Sequence, residues 1–422
     1  MKKKLFYSLA LMLIFGIAVT AQIKLTTIAD LKAIENGKSY ILDADIDLSS
    51  LSGGLNMDIT NVILDGNFHT LSNLSADGVG RGGLFRNLSA CTIKNLKLTG
   101  FTVAGSWAGA IAGHADGSTI YRCSSTNGDV QSSGIGGGLI GHMAGTSVTE
   151  CFSTGNVNGH DHVGGLIGHM DSPSSISNCY SNSTVFTDSW QVGGIVGWGE
   201  NAGNTITNCY AAGTVTAGQG FTGGIVGATS GGNKLNVTIT NCIGIQSMLA
   251  ANSDIAKTNR IVGDDGSATY TNNYGLATMT WTDPKRTDPW TSDAAGKDGE
   301  DVTTAQLASS AFYASKLPTW DFTNVWSLSG TVPKLRMENM VTLATTSFRK
   351  LDTPNAKVYT NDGLICVETS QNAGISIYNM LGQSLIQVNS KNSIERFNLK
   401  GIVIIKVVTE LGTTGVYKVI NQ

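Results

Sequence analysis

Apolar and polar positions recur with one period through the middle of the chain. The clearest unit is a pair of small residues followed by apolar residues, and its six copies are Gly82-Gly83-Leu84-Phe85, Gly109-Ala110-Ile111-Ala112, Gly137-Gly138-Leu139-Ile140, Gly164-Gly165-Leu166-Ile167, Gly193-Gly194-Ile195-Val196 and Gly223-Gly224-Ile225-Val226. The first glycines of successive copies are 27, 28, 27, 29 and 30 residues apart. A second phrase keeps the same period: Ile93-Lys94-Asn95-Leu96, Ile120-Tyr121-Arg122-Cys123, Val148-Thr149-Glu150-Cys151, Ile176-Ser177-Asn178-Cys179, Ile206-Thr207-Asn208-Cys209 and Ile239-Thr240-Asn241-Cys242. Two phrases with one period indicate a repeat architecture.

Each repeat contains short runs of strand-forming residues separated by Gly, Asn and Ser. In one copy these runs are Leu166–His169, Ser175–Tyr180 and Thr184–Thr187. No run has a helical period, and the Leu-x-x-Leu-x-Leu pattern of leucine-rich repeats is absent. Because a single repeat cannot bury its apolar side, stacked repeats must share one core. The pattern therefore predicts an all-β fold, a parallel β-helix with three short strands per rung.

The two ends of such a coil expose strand edges that must be covered. At the N-terminus, Thr27 can cap a short helix in which Leu31 and Ile34 share a face, and Gly37 can end it. At the other end, we expect a helix over residues 303–315. The following segment, Trp320-Asp321-Phe322 to Trp326, supplies aromatic side chains suited to plugging the end of the coil.

Several phrases resemble the GLUG-motif repeat proteins of bacterial surfaces. They are the Gly-Gly-Leu-Ile-Gly phrase, the run Asp43–Leu48, the phrase Leu64-Asp65-Gly66 with His69, and the closing Trp-Asp-Phe, Trp and Pro-Lys-Leu. The resemblance covers about residues 25 to 337. It implies a β-helical exported protein, often adhesin-like, and it implies no catalytic residues.

The last part of the chain has a different pattern. From about residue 347 the sequence alternates strands with tight turns, and its last strands are expected over 402–408 and 415–420, which predicts a small immunoglobulin-like β-sandwich. Ile375–Asn379 with Gly382-Gln383, Asn398–Gly401 and the ending Lys418–Ile420 resemble the C-terminal sorting domain of the type IX secretion system. That resemblance implies the secretion machinery as a partner. A purely structural immunoglobulin-like domain is the alternative.

The N-terminus is typical of a secretory signal peptide. Three lysines precede the apolar run Leu5–Val19, and a small-residue site ends at Ala21. The run is shorter than the ~20 residues that a membrane-spanning helix needs. We therefore divide the chain into a signal peptide (1–21), a β-helix with an N-terminal cap and an aromatic C-terminal cap (22–345) and a sorting-like sandwich (346–422), and expect Sec-dependent export to the surface of a Gram-negative bacterium, with no transmembrane segment.

Composition and charge indicate which partners, disulfides and metal sites to expect. The formal net charge of −3 gives no reason to expect nucleic acid as a partner. Five cysteines, at 123, 151, 179, 209 and 242, share one repeat position. Leu96 fills the same position in the preceding repeat, so we expect these thiols to lie inward and unbridged, although a thiol column in an exported protein also permits disulfides. Zinc is not expected because no Cys-x-x-Cys pair occurs.

No pattern for catalysis emerges. A nucleophile elbow, a zinc-protease helix motif and a P-loop are absent from the sequence. The candidate acids fall at different repeat positions: Asp116, Glu150, Asp161, Asp171, Asp188 and Glu200. The favoured interpretation is a non-enzymatic, adhesin-like surface protein that binds a glycan or a host or matrix protein and carries no cofactor. The alternatives are a structural spacer and a polysaccharide-active enzyme, since some β-helices are enzymes.

Two columns of repeat positions are candidates for ligand binding. The first contains His114, His142, His169 and Trp198, and the second contains Trp107 and Phe221, with Trp190 adjacent. If these side chains point outward, their rings form a platform for sugar stacking. The alternative is that the His rings lie at polar corners and the other aromatic rings fill gaps in the core. Metal binding by the His column is a weaker option, because no aligned carboxylate accompanies it.

Overall fold

The computed structural model describes residues 22–340, except 52, 79, 172, 230–236, 253–256, 265 and 267, and residues 356–421, except 362–363, 370–371, 380–383, 392, 400 and 410–413. The chain divides into two compact units, Met1–Thr342 and Leu343–Gln422. The expected signal peptide lies outside the described residues. Among the helices that the structure describes, none has the length and hydrophobicity needed to span a bilayer.

The first unit is a parallel β-helix, as predicted. One rung runs through Ile140–Ala144 on a face that we call C, Ser147–Thr149 on face A, and Phe152–Gly159 with His162–Gly164 on the broad face B. The next rung begins at Ile167–Asp171, which pairs in parallel with Ile140–Ala144. The predicted three-sided rung is therefore confirmed, with face B split into two segments.

The strands of faces A and C have three to five residues, whereas those of face B have from two to 14. In the described part of the chain, face A contains Ile23–Leu25, Ser39–Leu42, Ile63–Asp65, Thr92–Lys94, Thr119–Tyr121, Ser147–Thr149, Ser175–Ser177, Thr205–Thr207, Thr238–Thr240 and Thr269–Thr271. Face C contains Asp58–Thr60, Phe85–Ser89, Ala112–Asp116, Ile140–Ala144, Ile167–Asp171, Val196–Gly199, Val226–Ala228 and Val262–Asp264. Face B contains Ile46–Asp47, Thr70–Ser72, Ser75–Asp77, Arg81–Gly82, Lys97–Thr99, Thr102–Gly109, Ser124–Gly137, Phe152–Gly159, His162–Gly164, Tyr180–Thr187, Gln191–Gly193, Tyr210–Ala211, Thr214–Ala217, Phe221–Gly223, Ile243–Gly244, Met248–Ala251, Lys257–Asn259, Tyr274–Leu276, Thr280–Thr282 and Glu300–Val302.

The core is built from columns of like residues, one from each rung. The middle residue of successive face A strands forms one such fully buried column: Ile93, Ile120, Val148, Ile176, Ile206 and Ile239. Burying an Ile or Val side chain contributes about 1.5–3 kcal/mol, so each added rung extends a favourable stack. This stacking explains why the apolar positions repeat at a fixed period.

The repeated glycine pair is explained by a close approach of two backbones. His162–Gly164 ends face B, and the chain turns at once into Ile167–Asp171 on face C. A Cβ atom at Gly164 would overlap the carbonyl oxygen of Ile167. Only glycine fits there, which explains why the first position of the phrase is glycine in all six copies.

The cysteine column lies inside, as predicted, at the corner between faces A and B. All seven cysteines are buried and unbridged in the structure. The thiols also complete the backbone hydrogen bonding of the corner: the backbone N–H of Cys151 donates to Sγ of Cys179 at 3.3 Å, and that thiol lies 3.1 Å from the carbonyl oxygen of Ser177, to which it donates. Asn273 takes over this role in the last rung, where its Oδ1 accepts from the backbone N–H of Cys242 at 2.9 Å.

The N-terminal cap matches the prediction in its main features. A helix spans Ile28–Lys32, and Thr27 caps it through a hydrogen bond from the Asp30 backbone N–H to its hydroxyl. Leu31 is fully buried in the solenoid core. The helix ends before Gly37, which adopts a left-handed conformation in the following turn.

The C-terminal part of the first unit corrects the prediction of an aromatic plug. The expected single helix is two, Thr304–Leu307 and Ser310–Lys316, followed by the strand pair Trp326–Ser327 and Lys334–Leu335 and a 3₁₀ helix, Arg336–Asn339. Trp320 donates its indole N–H to the carbonyl oxygen of Asn241, and Trp326 donates to Oδ1 of Asn178, two rungs earlier. These rings therefore lie along the side of the coil rather than across its end.

We call residues 317–340 the lateral segment. It runs back along the corner between faces A and B, where it contacts outward Asn side chains and a stack of aromatic rings. Phe152, Tyr180 and Tyr210 stack with ring centroids 4.9 and 4.8 Å apart, and the Tyr210 hydroxyl donates to the carbonyl oxygen of Pro333 at 2.8 Å. The segment thus covers an aromatic stack that would otherwise face water.

The second unit is a small antiparallel β-domain, as predicted. One sheet contains Ala356–Asn361, Leu364–Thr369 and Ile394–Phe397. The other contains, in spatial order, Ser384–Lys391, Asn372–Asn379, Gly401–Thr409 and Thr414–Asn421. Their buried residues form a core separate from that of the β-helix.

Candidate functional site

The structure brings the first predicted column beside Trp107 of the second column. His114, His142, His169 and Trp198 occupy one register position on successive rungs of face C. Trp107 and His162 lie at the start of the second segment of face B, on the other side of the glycine turn. We call these six residues the aromatic ladder.

The rings of the ladder pack against one another across the turn. The His142 ring stacks on Trp107 at 4.8 Å and on His114 at 5.0 Å, measured between ring centroids. The His169 ring stacks on Trp198 at 4.6 Å and meets the edge of His142 at 4.6 Å. Ring faces in the middle of the ladder are therefore covered by neighbouring rings.

Burial differs along the ladder. His169 is only 7% exposed, and the other five members are half-buried. Two ring nitrogens, Nδ1 of His142 and Nε2 of His169, are buried without a hydrogen bond to the described residues. A carboxylate oxygen of Glu200 lies 3.2 Å from that Nε2 but is not aligned for a hydrogen bond.

The packing keeps these imidazoles neutral. Burial lowers the pKa of His142 from 6.5 to about 4, and the neighbouring His114 lowers it further in the same direction. Burial and the nearby His142 lower the pKa of His169 from 6.5 to about 3. Burial also lowers the pKa of His114 and His162. The ladder is thus an uncharged cluster at neutral pH.

Charged side chains end the two columns. At one end Arg81 lies over the Trp107 ring, 4.6 Å from its centroid, and donates to the side-chain oxygen of Asn87. At the other end Lys257 pairs with Asp264 at 2.6 Å and lies 5.4 Å from the centroid of Phe221. Between these ends, the rings of the ladder pack face C against the second segment of face B.

The remaining predicted residues lie outside the ladder. Trp190 is 41% exposed, and Phe221, on the next rung, is half-buried with its ring centroid 6.4 Å away. Phe186, on the strand that precedes Trp190, is 39% exposed. These three rings lie where face B bends between its two segments, and we call them the exposed aromatic corner.

A cleft adjoins this corner on face B. Its volume is ≈ 540 Å³, and its lining comes from three successive rungs: Gln131, Ser132, Ser133, Asn158, Gly159, His160, Phe186 and Asp188. Gln131, Asn158 and Phe186 are in direct register from rung to rung. The cleft therefore combines an exposed ring with amide, hydroxyl and imidazole groups.

One charge pair lies in the cleft. Nδ1 of His160 is 2.6 Å from Oδ1 of Asp188, and both side chains are exposed. This hydrogen bond and the charge of Asp188 raise the pKa of His160. Its other ring nitrogen, Nε2, is turned away from the carboxylate and can meet a ligand.

The six candidate acids do not all converge on one site, but Asp171 and Glu200 lie near each other beside His169. Glu150 pairs with Arg122 at 2.7 Å, Asp188 pairs with His160, and Glu200 lies beside His169. No group of three or more His, Cys, Asp or Glu side chains among the described residues is arranged to hold a metal ion.

Sequence reasoning missed Phe186 and His160. Strand Tyr180–Thr187 alternates buried and exposed positions, and Val185 is buried, so Phe186 must point outward. That alternation was the available signal for Phe186. His160 had no such signal, because its pairing with Asp188 depends on how the two turns stack.

Comparisons with known proteins agree with this architecture. The GLUG motif matches residues 188–216. No curated protein matches the sequence. The chain is similar to the crystal structure of a "putative immunoglobulin A1 protease" from Bacteroides ovatus, with 18% identity and a TM-score of 0.56 over 75% of this chain and 92% of that chain. At this identity the similarity shows the fold alone, and with the motif it supports a GLUG-repeat β-helix.

Proposed function

We propose that the chain is a non-enzymatic, adhesin-like surface protein whose β-helix binds a glycan or a host or matrix protein at the exposed aromatic corner. The observation that carries this proposal is the exposure of Trp190 and Phe186 beside a polar cleft. Soluble proteins seldom leave several large rings in water at one place without a use for them. A sugar ring can stack on an exposed aromatic face while amides and hydroxyls fix its orientation.

The corner suits this role better than the ladder does. Stacking needs a free ring face, and the faces of His142 and His169 are covered by Trp107, His114 and Trp198. Of the seven residues predicted to bind ligand, we assign Trp190 and Phe221 to binding. We assign the other five, His114, His142, His169, Trp198 and Trp107, to sealing the coil.

The experiment is a glycan and matrix-protein array probed with residues 22–422. We expect at least one ligand to be bound and Trp190→Ala to lose most of that binding with an unchanged melting temperature. Met248→Ala is the matched control, because Met248 is a comparably exposed apolar side chain on face B. Binding that survives both Trp190→Ala and Phe186→Ala would contradict the assignment.

We propose further that the protein is exported through the Sec pathway and delivered to the surface by its C-terminal unit. The lysine-led apolar run at the N-terminus and the sorting-like phrases of the second unit support this proposal. Deleting residues 347–422 should leave a folded β-rich protein that no longer reaches the cell surface. Unchanged delivery would remove the sorting role.

A second candidate function is hydrolysis in the same cleft. The His160–Asp188 pair favours it, since an imidazole oriented by a carboxylate can transfer a proton. Polysaccharides are one substrate class to assay, and immunoglobulin A1 is another because of the name of the similar structure. Turnover that His160→Gln abolishes would establish this function, and its absence would leave the binding role.

A further inference from the structure

Face A carries an unusual arrangement of hydroxyl groups. In five successive strands, both residues that flank the central core residue are Ser or Thr: Ser147 and Thr149, Ser175 and Ser177, Thr205 and Thr207, Thr238 and Thr240, Thr269 and Thr271. The residue between them points inward in each case, so these side chains point outward. We call these ten side chains the hydroxyl array.

The array is regular from strand to strand. Each of its strands has three residues, and each pairs with the next residue for residue. Face B, in contrast, shifts register between Gly105 and Trp107 and again between Ser125 and Gly128. The hydroxyls therefore form two parallel rows with a repeat of ~4.8 Å over about 19 Å, four strand spacings.

The chemistry of the array is uniform. All ten side chains are small and uncharged, and none is aromatic. Neighbouring hydroxyls hydrogen-bond along the rows: Thr149 and Ser177 at 3.1 Å, and Ser175 to Ser147 at 3.2 Å. Seven of the ten are Thr, whose branched Cβ restricts rotation and holds hydroxyl and methyl groups in fixed directions. The surface is thus preorganised before it meets any ligand.

We propose that the hydroxyl array binds ice. An ordered solid is the partner that benefits from a regular repeat, because many weak contacts can form at once without reordering the protein. Hexagonal ice repeats its oxygen positions along one axis at an interval close to the strand spacing. Small uncharged side chains favour this partner, since a charged group would hold its own hydration shell against the lattice.

Soluble sugars fit the array poorly. It offers no ring for stacking, whereas the exposed aromatic corner on face B offers three. The array and the corner lie on different faces of the coil, and the ice-binding proposal does not depend on glycan binding. Each can therefore fail without the other.

The test measures thermal hysteresis and ice recrystallisation with residues 22–422. We expect the protein to shape ice crystals and to slow recrystallisation, and we expect Thr207→Tyr and Thr240→Tyr, in the middle of the array, to lose both effects. Thr184→Tyr is the matched control, because Thr184 is an exposed threonine on face B. Circular dichroism and melting temperature establish that each variant is folded.

Three outcomes would overturn the proposal. One is a wild-type protein without hysteresis or recrystallisation inhibition at millimolar concentration, which would make the array an ordinary solvated face. Another is equal activity in the Thr207→Tyr and Thr184→Tyr variants. The third is binding to microcrystalline cellulose, lost in Thr207→Tyr, by a protein that leaves ice unaffected, which would identify a solid polysaccharide as the partner.

Discussion

Acidification should destabilise the β-helix through its buried histidines. The pKa values of His142 and His169 are about 4 and about 3 in the folded protein, against 6.5 for an ordinary histidine. Both residues therefore remain neutral in the fold at pH 5.5, while the unfolded chain takes up protons below its pKa. The stability that this difference contributes is fully present above pH 6.5 and is lost as the pH falls toward the folded pKa values.

The size of the effect follows from the proton uptake of the unfolded chain. Between pH 7.5 and 5.5 each histidine goes from mostly neutral to about nine-tenths protonated when unfolded, which costs about 1.4 kcal/mol per residue. The pair should therefore lower the free energy of unfolding by about 3 kcal/mol. His114 and His162 act in the same direction, because burial lowers the pKa of each.

The assay is urea unfolding at pH 7.5 and 5.5 of the wild type and of the His142→Gln, His169→Gln double variant. We expect the loss of stability between the two pH values to be about 3 kcal/mol smaller in the double variant. His160→Gln is the control, because the pKa of His160 is raised and its removal should not reduce the loss. An equal loss in the wild type and the double variant would show that the ladder does not bury neutral histidines.

Further predictions concern the corner, the end and the lateral segment of the coil. Cys179→Ser should nearly retain the melting temperature, whereas Cys179→Ala should cost about 1–3 kcal/mol because the buried N–H of Cys151 loses its acceptor. A mass measurement on denatured, non-reduced protein should show no disulfides within the repeats; two or more would refute the inward, unbridged column. Arg260 is fully buried, and Arg260→Met should cost about 3 kcal/mol or more in urea unfolding, because the carbonyl oxygens of Asp298 and Gly299 lose their donor. Trp326→Ala should cost about 3–5 kcal/mol and expose residues 317–340 to limited proteolysis, and unchanged resistance would contradict its role as their anchor.

The period of the coil could be predicted because its cause is local. Gly164 must be glycine wherever face B turns closely into face C, so the same phrase recurs in each rung. The inward position of the cysteine column could also be predicted, because these cysteines recur at one position of the repeat. Its hydrogen bonding could not, because Leu96 occupies the same position and suggests a merely apolar slot. Asn273 in the last rung was the overlooked clue, since an amide can both accept and donate there.

The arrangement of the candidate site was less accessible. The alternation of inward and outward side chains along a strand could not predict which way His142 and His169 point. The glycine that precedes each of them bends the strand and resets the alternation. Their packing against Trp107 and His162 depends on two segments meeting across a turn, which a linear pattern does not encode. The position of Trp320 and Trp326 along the side of the coil depends on hydrogen bonds to outward Asn side chains such as Asn178. The repeat pattern does not show which of these Asn side chains a distant segment will use.

The central claim is that the ladder seals the coil while the exposed aromatic corner binds ligand. The most direct test probes one glycan and matrix-protein array with two variants, Trp190→Ala and the triple variant His142→Ala, His169→Ala, Trp198→Ala, and records the melting temperature of each. We expect the first to lose binding with unchanged melting, and the second to melt at a markedly lower temperature while its folded fraction still binds. Lost binding with unchanged melting in the triple variant would contradict the claim and would make the ladder itself the binding platform.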